Sequence, residues 1–222
     1  MPKVVLFDVN ETLLDTHALQ PELTGLLGKS VSLREWFLEV LQHTLVMNEV
    51  KEYRPFGEIA EAVLQMTANS QGRQLQPDEI EAVRKKLASL PPYADVRAAL
   101  QRLKDHGLRL GTLTNSSADS QEQQLKKAGL TDYFERMLSV DSVRRFKPAP
   151  ETYQYAAHTL AVQPQDVLLV AAHGWDVFGA MKAGCQAALV KRPEKAVFPL
   201  GPHPQFMADK LVVLADQITS NR

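Results

Sequence analysis

The chain has 222 residues, 45% of them hydrophobic, with 25 Lys+Arg against 26 Asp+Glu and a formal charge of −1. That apolar content at so small a net charge excludes a disordered chain, and the missing basic excess speaks against nucleic acid as a partner. The single cysteine, Cys185, excludes an internal disulfide, a Cys-x-x-Cys redox pair and a Cys-rich zinc cluster, and reads as a small buried residue. No run approaches the ~20 apolar residues of a membrane helix, and the N-terminal run before Asp8 is too short for a signal-peptide core. A cytoplasmic protein with no membrane partner is expected.

The first predicted element is a strand at Val4–Phe7, apolar throughout, as in a parallel sheet covered on both faces. Residues 16–92 then change rhythm. Leu33, Phe37, Val40, Leu41 and Leu45 trace one helical stripe; Ile59, Val63 and Met66 trace a second; Ile80, Val83 and Leu87 trace a third. No strand pattern falls among them, and Pro91-Pro92 marks a boundary. Beyond it, Val96, Leu100 and Leu103 predict a helix, residues 108–113 a strand, and Leu125 and Ala128 a further helix. Strands follow at 137–140, at 167–172 and, more weakly, at Gln186–Val190. Gly107, Gly129 and Gly184 sit where helices stop. The alternation predicts an α/β fold: a Rossmann-like parallel sheet flanked by helices over residues 1–15 and 93–222, with an inserted helical cap at 16–92. Residues 193–204 carry four prolines and read as a long ordered loop.

The strongest strands end at Asp8, at Thr114-Asn115-Ser116, just before Lys147, and just before the stretch from His173 to Asp176. The carboxyl ends of parallel strands form the ligand crevice of an open sheet. Each residue alone has a plain explanation: an Asp capping a turn, polar loop chemistry, a solvated Lys. Together at strand ends they mark a candidate site. Other motifs fail. Gly28-Lys29-Ser30 lacks the earlier glycine and preceding strand of a phosphate loop, no Gly-x-Ser-x-Gly elbow occurs, and no histidines fall in His-Glu-x-x-His spacing.

Phe7-Asp8-Val9-Asn10-Glu11-Thr12-Leu13 resembles the first motif of the haloacid dehalogenase-like hydrolases, whose first Asp is a nucleophile. Thr114-Asn115-Ser116 resembles the second motif, Lys147-Pro148 the third and Trp175-Asp176 the end of the fourth. The resemblance spans nearly the whole chain and implies that the helical insertion is the cap of these enzymes. Their phosphatase branch carries a second Asp two residues after the first, where this chain has Asn10, and an amide is no acid. It also places acidic Mg²⁺ ligands in the fourth motif, where this chain has Ala171-Ala172 and keeps Asp176 alone.

Type II 2-haloacid dehalogenases need neither group, and the chain resembles them more closely. The resemblance implies that Asp8 displaces halide from carbon, that water opens the aspartyl ester to a 2-hydroxy acid, and that no metal or cofactor takes part. Halide leaves as a stable anion without a proton, and a carboxylate of ordinary pKa ~3.9 is ionised unaided at neutral pH. Lys147 is expected to keep Asp8 charged and to pair with the substrate carboxylate. Tyr153 follows Lys147 by six residues and Arg34 precedes Leu38-Glu39, as in that family. The resemblance implies a halide cradle of Arg34, Asn115 and Trp175, and substrate contacts from Asn10, Thr12, Thr114, Ser116 and Tyr153. A solvated Arg34 and a Trp175 that merely packs are the plain alternatives. The fourth motif departs from the family's Ser-Ser-Asn, reading Ala171-Ala172-His173. His173 is then expected either to act in ester hydrolysis or to narrow the halide pocket, and Asp176 to help orient Lys147 and activate water. The expected partner is a small halogenated carboxylic acid, and an exposed apolar stripe on a cap helix would support a homodimer. The alternatives are a Mg²⁺-dependent small-molecule phosphatase and a catalytically idle binding member.

Overall fold

Every residue of β1 (Val4–Phe7) is buried, with Val4 and Leu6 packed into one apolar cluster and Val5 and Phe7 into another. Successive side chains of a strand point to opposite faces, so the unbroken apolar run is what a sheet covered on both sides requires. The computed structural model describes residues 2–28 and 31–220; Lys29 and Ser30 of the rejected phosphate-loop motif lie outside them. After β1 come α1 (Gln20–Leu27), α2 (Leu33–Glu49), α3 (Phe56–Ser70), α4 (Pro77–Leu87) and α5 (Val96–Asp105), with no intervening strand among the described residues. Then follow β2 (Arg109–Thr114), α6 (Ala118–Lys127), β3 (Arg136–Ser139), α7 (Pro150–Thr159) and β4 (Val167–Ala171). The chain closes with α8 (Gly174–Lys182), β5 (Gln186–Val190), β6 (Phe206–Ala208) and α9 (Leu211–Ser220).

The sheet runs β3-β2-β1-β4-β5-β6 with every pairing parallel. Phe7 lies level with Thr112 on one side and Val170 on the other, so the residues beyond β1, β2 and β4 emerge along one edge. Strand order reverses beside β1, which places a topological switch point where Asp8 and Ala172-His173 leave the sheet.

Departures from the predicted elements are small. β2 lies one residue later than its apolar run and β3 one residue earlier, since ladder hydrogen bonds rather than apolarity set a strand's ends. No pattern anticipated β6, three residues at the sheet edge, or α1 and α9. Residues 191–205 form the expected loop without a named element. Cys185 is buried, and burial pushes its thiol up to about 12, leaving it unreactive at neutral pH.

The helices that follow β1 leave and rejoin the sheet at one place. Tyr93 N donates to Leu13 O at 3.0 Å and Asp15 N to Pro91 O at 2.8 Å, so the outgoing and returning chain lie side by side. α2 starts with a capping box in which Ser32 Oγ accepts from Glu35 N and Glu35 Oε2 accepts from Ser32 N. Such a cap contributes about 1 kcal/mol and fixes where the helix begins. α2 buries Leu33, Trp36, Val40 and Thr44, while Leu38, Leu45 and Val46 are exposed along it. Phe37 and Leu41, from the predicted stripe, line the cavity described below. Among the described residues no helix is long and apolar enough to cross a membrane.

Candidate active site

Asp8 is the first residue beyond β1 and is buried. A tight turn follows, with the N–H groups of Thr12, Leu13 and Leu14 all donating to Val9 O. The turn swings Thr12 back so that its Oγ1 donates to Asp8 Oδ2 at 2.6 Å. The same Oγ1 accepts from Ala172 N at 2.9 Å, tying the turn to the end of β4. Lys147 Nζ donates to Asp8 Oδ1 at 2.8 Å, and His173 Nδ1 lies 3.2 Å from Oδ2. Burial by itself would raise the Asp8 pKa; the charge of Lys147 and the hydrogen bond from His173 outweigh it and hold the carboxyl well below the usual range. Asp8 is ionised.

Lys147 binds more than Asp8. Its Nζ also donates to Asp176 Oδ2 at 2.6 Å and to Leu113 O at 3.0 Å. An ammonium has three N–H donors, and all three are engaged. A substrate carboxylate, the further partner expected of Lys147, would have to displace one of these acceptors. Burial opposes the charged amine, but the two carboxylates raise its pKa and keep it protonated. Asp176, in the first turn of α8, accepts from Tyr153 OH through Oδ1 at 2.6 Å. Burial and the charge of Asp8 push its carboxyl up against the pull of Lys147. Tyr153 is completely buried behind Asp176, so it positions Lys147 at one remove and does not meet the substrate as the sequence suggested. Gly179 makes that packing feasible, because a Cβ there would lie 2.4 Å from Pro148 Cβ and 2.8 Å from the Tyr153 hydroxyl.

A cavity of about 20 Å³ adjoins Asp8, little more than the room one water needs. Phe37, Leu41 and Phe56 of α2 and α3 close it on one side, and Asn115, Ser116 and Trp175 on the other. Asn115 Oδ1 accepts from Lys147 N at 2.9 Å, so Nδ2 is the branch of this amide left to meet a bound group. Thr114 and Ser116 line the cavity without bonding to Asp8: Thr114 Oγ1 accepts from Ser116 N at 3.1 Å, and Ser116 Oγ accepts from Asn10 Nδ2 at 3.3 Å. Asn10 Oδ1 in turn accepts from Gln124 Nε2. Arg34 lies outside this cavity. Its side chain is 61% exposed, 4.0 Å from Glu194, on a wider cleft of about 540 Å³ that His173 and Trp175 also line.

The sequence reading passed over two charged groups. Glu11 is buried with a left-handed φ of 62°, and its Oε2 lies 2.7 Å from His173 Nε2. Lys195, from the 191–205 loop, reaches the same oxygen at 2.8 Å. The loop can approach because residue 174 is Gly: a Cβ there would lie 2.4 Å from Ala196 O. Glu11 was already visible as a carboxylate three residues after Asp8; nothing in the sequence pointed to Lys195. Burial alone would lower the His173 pKa, but Asp8 and Glu11 together raise it to about 9, so the imidazole is protonated at neutral pH. Asp8, Glu11 and Asp176 are then balanced by Lys147, His173 and Lys195. Buried charges persist only when so compensated.

A buried, ionised carboxylate beside an apolar cavity can attack carbon or phosphorus, and comparison with known proteins supplies the family. The model of the haloacid dehalogenase-like hydrolases matches residues 5–190. Haloacetate dehalogenase H-2 of Moraxella sp. strain B is 30% identical over 210 residues, 92% of each chain. An (S)-2-haloacid dehalogenase of Pseudomonas sp. strain CBS-3 is 29% identical over 93% of this chain and 91% of its own. The structure of L-2-haloacid dehalogenase from Xanthobacter autotrophicus superposes with a TM-score of 0.89 at 25% identity, covering 98% of both chains. The chain belongs to the haloacid dehalogenase-like hydrolases.

Proposed function

We propose that the protein hydrolyses the carbon–halogen bond of short 2-haloacids through an aspartyl ester on Asp8, without a metal ion, giving a 2-hydroxy acid and halide. The observation that carries this reading is the Asp8 carboxylate itself, held ionised by Lys147 and Thr12 beside a cavity that Phe37, Leu41, Phe56 and Trp175 help to line. Asn10 faces the same cavity where a phosphatase would need an acid to protonate its leaving group. Halide needs no such proton. The relatives are named for dehalogenation of haloacetate and 2-haloacids, which supports carbon as the atom attacked.

Residue roles follow from position. Lys147, oriented by Asp176 and Tyr153, keeps Asp8 charged. Asn115 and Trp175 line the cavity where halide departs, and Arg34 offers a cation at the cleft beside it. With Lys147 engaged, the substrate carboxylate falls to Ser116 Oγ and the Asn10 amide. His173 acts in ester hydrolysis. Residues 16–92 form the cap and residues 1–15 with 93–222 the core, a division supported by the chain leaving and returning beside Leu13–Asp15 while Phe37, Leu41 and Phe56 close the cavity.

A divalent cation does not fit the residues present. Ala171 and Ala172 stand where an acid would be needed, and Asp176 already accepts from Lys147 and Tyr153. The test is free-halide measurement with chloroacetate and fluoroacetate, alongside phosphate release from a phosphate monoester. Halide should appear from a haloacetate, unchanged by chelator, and vanish in Asp8→Asn. Chelator-sensitive phosphate release with no halide would overturn the reading.

A further inference from the structure

We infer that Glu11 is a positioning residue for the second half of this reaction: it holds His173 as the base that delivers water to the aspartyl ester. The inference rests on the dehalogenase reading above and assigns its hydrolytic step.

The geometry singles out this pair. His173 Nε2 is fixed on Glu11 Oε2 at 2.7 Å while Nδ1 faces Asp8 Oδ2 at 3.2 Å, so one nitrogen is anchored and the other meets the reacting carboxyl. Phe37 stacks over the imidazole at 6.3 Å between ring centroids and Trp175 flanks it at 5.1 Å. These rings hold its plane. Glu11 reaches His173 from a left-handed backbone that costs a non-glycine residue about 1 kcal/mol, and Lys195 fixes the same Oε2 from the loop side at 2.8 Å. Asp176 sits behind Lys147 and already accepts two donors, and Lys147 is protonated, so neither is placed to take a proton from water beside Asp8.

The charged groups around His173 make the assignment self-consistent. Asp8 faces it from β1, Glu11 from the following turn, Lys195 from the 191–205 loop and Lys147 from across Asp8, with Arg34 and Glu194 on the cleft it lines. In the resting site two carboxylates hold the His173 proton and raise its pKa to about 9. Displacement converts Asp8 to a neutral ester and releases halide as an anion. His173 then keeps Glu11 alone as a counter-charge and sheds its proton, which is the net proton of the overall hydrolysis. The water oxygen next bonds to Asp8 Cγ as one of its protons passes to Nδ1. The bond between Cγ and the ester oxygen breaks, and the departing alkoxide takes the second proton of water. Asp8 regains its charge, His173 is again protonated, and the resting site is restored. Alkylation of Asp8 thus switches on the base that removes the alkyl group.

Glu11→Gln separates the two halves. With excess chloroacetate the variant should release about one halide per enzyme at a rate within about tenfold of wild type. Turnover should then fall about 10²–10³-fold, the scale of general-base catalysis. Intact-mass spectrometry should find the variant carrying the carboxymethyl ester. The burst itself shows that the variant is folded. The midpoint of the pH profile for ester decay should also move down by about one unit in Glu11→Gln, since a neutral amide no longer stabilises the imidazolium. Unchanged turnover without ester, or burst and turnover lost in equal measure, would overturn the role of Glu11, as would a pH midpoint equal to wild type. No halide from wild type with either haloacetate would instead defeat the dehalogenase reading, and this inference with it.

Discussion

The two flanks of Asp8 are built differently. On the Lys147 side every donor is engaged, the Lys147 and Asp176 side chains are 1% and 0% exposed, and Tyr153 closes the network from behind. On the His173 side the network reaches through Glu11 to Lys195 on a loop, beside a cleft of about 540 Å³. A sealed network keeps one protonation state and one geometry, which suits the nucleophile role proposed for Asp8. The second flank holds His173 between Asp8 at 3.2 Å and Glu11 at 2.7 Å. One flank locks Asp8 in place; the other joins it to the loop and the cleft.

The sealed flank is most sensitive at Lys147. Lys147→Met leaves two buried carboxylates without their shared cation, and removing one partner from a buried pair costs about 3–5 kcal/mol. Urea unfolding should read a loss of that size, with halide release at background. Wild-type stability in this variant would show that the flank is not sealed.

The His173 flank predicts a pH dependence of defined sign. The folded-state pKa of His173 is raised from 6.5 to about 9, so its contribution is fully present below pH ~6.5 and is lost as pH rises through ~9. The shift bounds that loss at about 3 kcal/mol. Urea midpoints taken between pH 6 and 9.5 should fall for wild type and stay nearly level for His173→Asn. Equal slopes would remove the distinction between the flanks.

Thr12 belongs to both flanks and probes the turn that joins them. Thr12→Val deprives Asp8 Oδ2 of a donor and leaves the buried Ala172 N without its acceptor, an expected loss of about 1–3 kcal/mol. Chemical denaturation at neutral pH measures it. The smallest effect is expected at Arg34→Ala, whose exposed pair with Glu194 is worth under about 0.5 kcal/mol. A larger stability loss would mean that this pair secures the loop carrying Lys195.

Much of the site was legible because strand ends are legible. An apolar run that stops at Asp8, another at Thr114-Asn115-Ser116 and a third before His173 place those residues at one sheet edge once the strands are parallel. Partner choice was not legible. Tyr153 kept the motif's spacing from Lys147 yet faces Asp176, and the Thr114 hydroxyl bonds within its own loop while that of Ser116 accepts from Asn10. Lys195 comes from a loop with no periodicity, and three-residue β6 is too short to show one.

From the sequence alone came the alternating α/β fold, the helical segment after the first strand and the carboxylate that heads the site, because hydrophobic period and strand termination are local properties. Tertiary structure decided which acceptors engage Lys147, where Arg34 stands and how Glu11 meets His173. Those outcomes depend on distances between residues remote in the chain, as when Lys147 reaches Asp8 across 139 positions, and on burial that makes each unpaired charge costly.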